Sequence, residues 1–70
     1  MTWINTPESS NIARFAYDAD SHVMTVEFTN GATYNYYDVP NFIFDQMKAA
    51  SSKGQFLAQN IKGVYRYARA

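Results

Sequence analysis

Apolar and polar residues alternate with a period of two from Ile12 to Tyr37, after which the spacing becomes helical. The chain therefore divides into a sheet half and a largely helical half. Ile12 to Tyr17 predicts a first strand with Ala13, Phe15 and Tyr17 on one face and Ile12, Arg14 and Ala16 on the other. Asp18-Ala19-Asp20-Ser21 ends it with side chains that bond their own backbone. His22 to Thr29 predicts a second strand with Met24, Val26 and Phe28 on its apolar face. Ala32 to Tyr37 predicts a third, with Tyr34 and Tyr36 on one face and Thr33, Asn35 and Tyr37 on the other.

Asn30-Gly31 between them is the strongest local signal, a pair suited to the positive φ angles of a tight hairpin turn. A two-residue turn would put Thr29 opposite Ala32 and group Tyr37 with Met24, Val26 and Phe28. A bulge, or a loop of three to five residues, would flip the third strand and group Tyr34 and Tyr36 with them instead. The pattern leaves both registers open.

Asp38 is a suitable N-cap for the first helix, and Pro40 is tolerated in its first turn. Val39, Ile43, Met47 and Ala50 follow at helical spacing, and Phe42 and Phe44 widen the apolar side. Ser52 with Gln55 forms a capping-box pattern for a second helix from Lys53 to Lys62, with Phe56, Leu57 and Ile61 on one side and Gly63 as its stop. Val64 to Tyr67 alternates again, as either a fourth edge strand or an extended tail. Residues 1–9 have no period and read as a lead-in arm, with Trp3 and Ile4 available to dock. The expected fold class is α+β: a three-stranded antiparallel β-meander, two short helices and an extended C-terminal segment.

Seventy residues suffice for one domain, near the lower limit for a core without metal or disulfide support. Six tyrosines, five phenylalanines and one tryptophan compensate, because each ring buries a large area. There is no cysteine, which excludes a disulfide scaffold and thiolate metal sites and suits a reducing compartment. The first residues lack the charge and apolar run of a secretory signal, and no stretch approaches the length of a membrane span. A cytoplasmic location with no membrane partner is expected.

Net charge is zero but divided. Residues 1–45 hold one base against six acids; residues 46–70 hold Lys48, Lys53, Lys62, Arg66 and Arg69 and no acid. This asymmetry fits either an acidic partner such as nucleic acid or two halves that neutralise each other where they pack. Catalytic groups are scarce. The lone His22 lies at a strand boundary without a nucleophile in a recognisable turn, and Asp18 and Asp20 lack the spacing of a calcium loop. Neither enzymatic activity nor a metal or other cofactor is expected.

Five short motifs, in order, carry a family resemblance: Ser10-Asn11-Ile12; Val26-Glu27-Phe28-Thr29-Asn30-Gly31; Tyr34-Asn35-Tyr36-Tyr37-Asp38-Val39-Pro40; Ala50-Ser51-Ser52-Lys53-Gly54-Gln55-Phe56; and Ile61-Lys62-Gly63-Val64-Tyr65-Arg66-Tyr67. Over residues 10–67 the chain resembles the KTSC domain, found at the C-terminus of some lysyl-tRNA synthetases and as small stand-alone proteins of bacteria and phages. The resemblance implies a single KTSC-like domain over residues 10–70. Through the synthetase context it also implies RNA as a partner. Tyr34 and Tyr36, which match the central motif, are the expected stacking residues, with Lys53, Lys62, Arg66 and Arg69 for phosphates. The alternative is a protein-interaction or phage-type modulator domain, for which Tyr37, Phe44, Tyr65 and Tyr67 are the candidate contacts.

Overall fold

The computed structural model describes residues 3–70. Five strands, β1 (Trp3–Asn5), β2 (Ile12–Asp18), β3 (Val23–Phe28), β4 (Thr33–Tyr36) and β5 (Tyr67–Arg69), form one antiparallel sheet in sequence order. The helices α1 (Asn41–Ala49) and α2 (Lys53–Asn60) lie in the chain between β4 and β5. The three-stranded meander expected from the pattern is thus extended at both edges. The lead-in arm supplies β1, which pairs with β2 in the register Trp3 to Ala16 and Ile4 to Phe15. Three residues are too few to display a period, so the strand has no signature of its own.

The register of β3 and β4 follows from the loop between them. Phe28 N–H donates to the Ala32 carbonyl at 2.8 Å and Gly31 N–H to the Phe28 carbonyl at 3.0 Å, leaving Thr29, Asn30 and Gly31 as a three-residue loop. Gly31 has φ 91°, the left-handed position such loops need. Met24 consequently faces Tyr36 and Val26 faces Tyr34. The longer-loop alternative is the one adopted, and Tyr34 and Tyr36 share the face of the β3 apolar residues.

A second parity change lies in β2, where the register shifts between Ile12 and Arg14. Ile12 therefore pairs with Phe28 and is fully buried on the same side as Phe15, contrary to strict alternation. Thr6 braces this irregularity from the preceding loop: its hydroxyl donates to the Ile12 carbonyl at 2.6 Å and its N–H to the Ala13 carbonyl at 3.1 Å.

Both helices cover one face of the sheet. Ile12, Phe15, Met24, Val26 and Tyr36 meet Val39, Met47 of α1, and Leu57 and Ile61 at and after α2. Phe44 stacks on Tyr17 with ring centroids 4.7 Å apart and meets Phe15 edge-on at 5.8 Å. Phe42, expected to widen the apolar side, is instead 60% exposed. It lies about 200° around the helix from Phe44 at ~100° per residue, so the two cannot share a buried stripe. The cap assignment also changes. Pro40 occupies the N-cap of α1 with no side-chain bond, whereas Asp38, at φ 60°, pairs with Arg66. Val39 follows and is buried, and the Tyr17 hydroxyl donates to its carbonyl.

On the open face, Arg14 lies 4.1 Å over the Trp3 ring and 2.8 Å from Glu27, and Thr25 donates to Asn35 at 2.7 Å. These contacts shield Ala16, which is fully buried although it faces away from the helices.

The capping box of α2 forms in part: Ser52 Oγ accepts from Gln55 N–H at 3.3 Å. Gly54 allows the first turn to seat against Asn11, since a Cβ there would lie 2.5 Å from Asn11 Oδ1. Asn11 Oδ1 in turn accepts from the Ser9 hydroxyl at 3.1 Å.

Two stability experiments follow. Gly31→Ala should cost about 1–2 kcal/mol in urea unfolding, because the loop has space for the methyl and only the backbone conformation is penalised. Gly54→Ala should destabilise in the native background but much less in an Asn11→Ala background, a positive coupling read by a double-mutant cycle; additive effects would deny the contact a role.

Candidate functional site

The helices do not cover the whole of the sheet face. At its β4–β5 end the face opens into a groove of about 650 Å³ lined by Phe28, Asn30, Ala32, Tyr34, Tyr36, Lys62, Gly63 and Tyr67. The hairpin register places Phe28, Tyr34 and Tyr36 on this face, and the pairing of Tyr36 with Tyr67 brings β5 to it. The turn after α2 supplies Lys62 and Gly63. In the resulting aromatic cluster, Tyr34 meets Phe28 edge-on at 5.8 Å and Tyr67 edge-on at 5.9 Å, while Tyr36 lies 5.9 Å from Tyr67. Edge-to-face packing holds the rings in fixed orientations.

The tyrosines have different roles. Tyr36 is 2% exposed and forms the floor, Tyr34 is half-buried, and Tyr67 is 61% exposed on the edge strand. Burial raises the Tyr36 pKa above 10.0, with Tyr34 and Tyr67 adding to the rise, so all its chemistry near neutrality is that of a neutral hydroxyl. Tyr17 is raised in the same direction by burial, with Asp45 and Asp18 contributing.

The basic residues do not converge. Lys62 is on the groove, and Arg69 lies opposite Tyr34 on the same sheet face. Lys53 is elsewhere, beside Glu8, Asn11 and Ser52, with Nζ donating to the Ala50 carbonyl at 2.8 Å. Arg66 turns to Asp38 at 3.2 Å and lies 5.5 Å from the Tyr37 ring centroid. That ion pair is 78% exposed on both sides and holds little energy. Of the other aromatic candidates, Tyr37 is half-buried under Arg66, Phe44 is a core contact, and Tyr65 packs partly buried against the core. Tyr67 alone of those four is largely exposed, and it belongs to the groove. Phe28 and Asn30 were not expected at the site. Their place there depends on the loop length, and the Asn30-Gly31 motif was the available signal.

A model of the KTSC domain matches residues 8–65. The chain belongs to the KTSC family. A KTSC domain protein from Yersinia pestis, known from its crystal structure, superposes with a TM-score of 0.90 at 30% identity, over 99% of this chain and 96% of that one. A protein of Tsukamurella paurometabola is 42% identical over 59 residues, 84% of this chain and 88% of its own length. The lysine–tRNA ligase of Trichormus variabilis is 36% identical over 61 residues, which are 87% of this chain but 11% of the ligase. This KTSC chain therefore corresponds to a small part of that enzyme. Among the described residues no helix is long and apolar enough to cross a membrane.

The raised tyrosines set an alkaline limit. The folded state keeps protons that the unfolded chain loses above pH 10.0, so stability should fall as pH rises through that value. Tyr36→Phe should flatten the decline in unfolding free energy measured between pH 9 and 11, and an unchanged slope would place the tyrosine hydroxyl in water.

Proposed function

We propose that this KTSC domain is an auxiliary single-stranded RNA-binding module whose site is the groove between β4, β5 and the turn after α2. The observation that carries this reading is the meeting of an aromatic-walled groove with Lys62 and Arg69 on one side of the molecule. Unpaired bases stack on aromatic side chains irrespective of sequence, and nearby cations neutralise the phosphates that connect them. A groove of this size admits one base with its sugar. Tyr34 and Tyr67 are the stacking surfaces, because Tyr36 has too little exposed area to receive a ring. The similarity of the chain to a region of a lysine–tRNA ligase supports this reading, since that protein is named for a reaction on an RNA. Zero net charge suits a module that adds local affinity and does not coat nucleic acid indiscriminately.

The test is an NMR titration with single-stranded RNA at low salt. Amide shifts should change around Phe28, Tyr34, Lys62 and Tyr67. Tyr67→Ala should weaken binding by the loss of one stacking contact, about 1–3 kcal/mol. Lys62→Glu with Arg69→Glu should weaken it further and reduce its salt dependence, whereas Lys53→Glu should change little. Absence of any shift change with RNA would overturn the reading.

A further inference from the structure

The polar groups of the groove are unequal in kind. Asn30 Oδ1 already accepts from Ala32 N–H at 3.0 Å, which fixes the orientation of its amide, since an N–H cannot donate to an NH₂ group. Its free group is therefore Nδ2, a donor. Lys62 Nζ is a donor as well and has no partner among the described residues. The Tyr36 hydroxyl is unpaired among the described residues although the side chain around it is almost wholly buried, and as a neutral phenol it donates or accepts. Among the described residues no aspartate or glutamate lines the groove.

A ligand in this site meets two dedicated donors, the three hydroxyls of Tyr34, Tyr36 and Tyr67, which donate or accept, and no carboxylate among the described residues. Acceptor-rich groups satisfy every member of that set; an exocyclic amine is met by the hydroxyls alone among the side chains and leaves the Asn30 donor without a partner. We infer that the groove is selective for a nucleotide whose base carries carbonyl oxygens and no exocyclic amine, uracil, over adenine, with the base carbonyl oxygens read by Asn30 Nδ2 or the Tyr36 hydroxyl and the phosphate met by Lys62. The inference rests on the RNA reading and adds to it a ligand class and two specificity residues. Stacking alone gives no such order, because adenine has a larger face than uracil. The donors therefore oppose the stacking trend, and removing them exposes it.

Asn30→Asp is the informative substitution. Aspartate keeps the oxygen that accepts from Ala32 N–H and is equally at home before glycine in a hairpin loop, so the fold is retained. It replaces the free donor with an acceptor. The experiment compares binding of oligouridylate and oligoadenylate of about eight nucleotides, by NMR shift and tyrosine fluorescence, for the native chain, Asn30→Asp and Tyr36→Phe. The native chain should prefer oligouridylate by roughly tenfold, the scale of one or two discriminating hydrogen bonds. In Asn30→Asp the ratio of the two affinities should fall to one or below, and Tyr36→Phe should reduce it part-way. Using the ratio removes the general effect of the added negative charge. Equal affinities in the native chain, or a ratio unmoved by both substitutions, would overturn the uracil inference while leaving RNA binding standing. Failure of both RNAs to bind overturns the two together.

Discussion

The structure depends on the number of residues in one hairpin loop. Because side chains in a strand alternate, adding or removing a single loop residue exchanges the two faces of β4. With Thr29, Asn30 and Gly31 between the strands, Tyr36 lies next to Met24 and enters the core, and Tyr34 lies next to Val26. A two-residue turn would have sent both tyrosines to the face now occupied by Glu27 and Thr25. The loop length thus decides the composition of the core, the position of the groove and the side on which β5 presents Tyr67.

Core and groove are consequently one continuous surface. From β2 to the Tyr36 side of β4 the sheet face is roofed by Val39, Met47, Leu57 and Ile61; beyond it, the rings of Tyr34 and Tyr67 continue the same apolar layer without a roof. In so small a domain two helices of nine and eight residues cannot span five strands. The uncovered end is a geometrical result of that shortage, and it concentrates aromatic surface where side chains from β3, β4, β5 and the turn after α2 meet. Tyr36 belongs to both regions, with its ring in the core and its hydroxyl at the groove floor.

Much of this was legible in the residues. Alternation identified β2, β3 and β4, and Ser52 with Gln55 located the start of α2. The family resemblance pointed to Tyr34 and Tyr36. What could not be read was parity, because Asn30-Gly31 is compatible with more than one loop length and the register shift in β2 leaves no mark in composition. The edge strand β1 was hidden by its brevity, whereas the edge strand offered for Val64 to Tyr67 is present as β5, displaced to Tyr67–Arg69. The basic set was misleading for another reason: charge counted along a chain ignores direction in space. Lys62 and Arg69 share a side, but Lys53 is held to the Ala50 carbonyl and Arg66 to Asp38.

The seat of Gly54 on Asn11 has a consequence for the opposite end of α2. It fixes the helix at its amino end, and the helix of eight residues acts as a ruler of ~12 Å, at about 1.5 Å each, beyond whose far end Lys62 and Gly63 are set down at the groove. Lengthening that ruler by one residue would turn everything beyond it by about 100° and swing the lysine off the rim. Substitutions along the exposed side of α2 leave the ruler intact. The helix is therefore free in chemistry only along its exposed side and constrained in length, and its span is the dimension by which a contact at its amino end aligns a cation with the tyrosines beyond its other end.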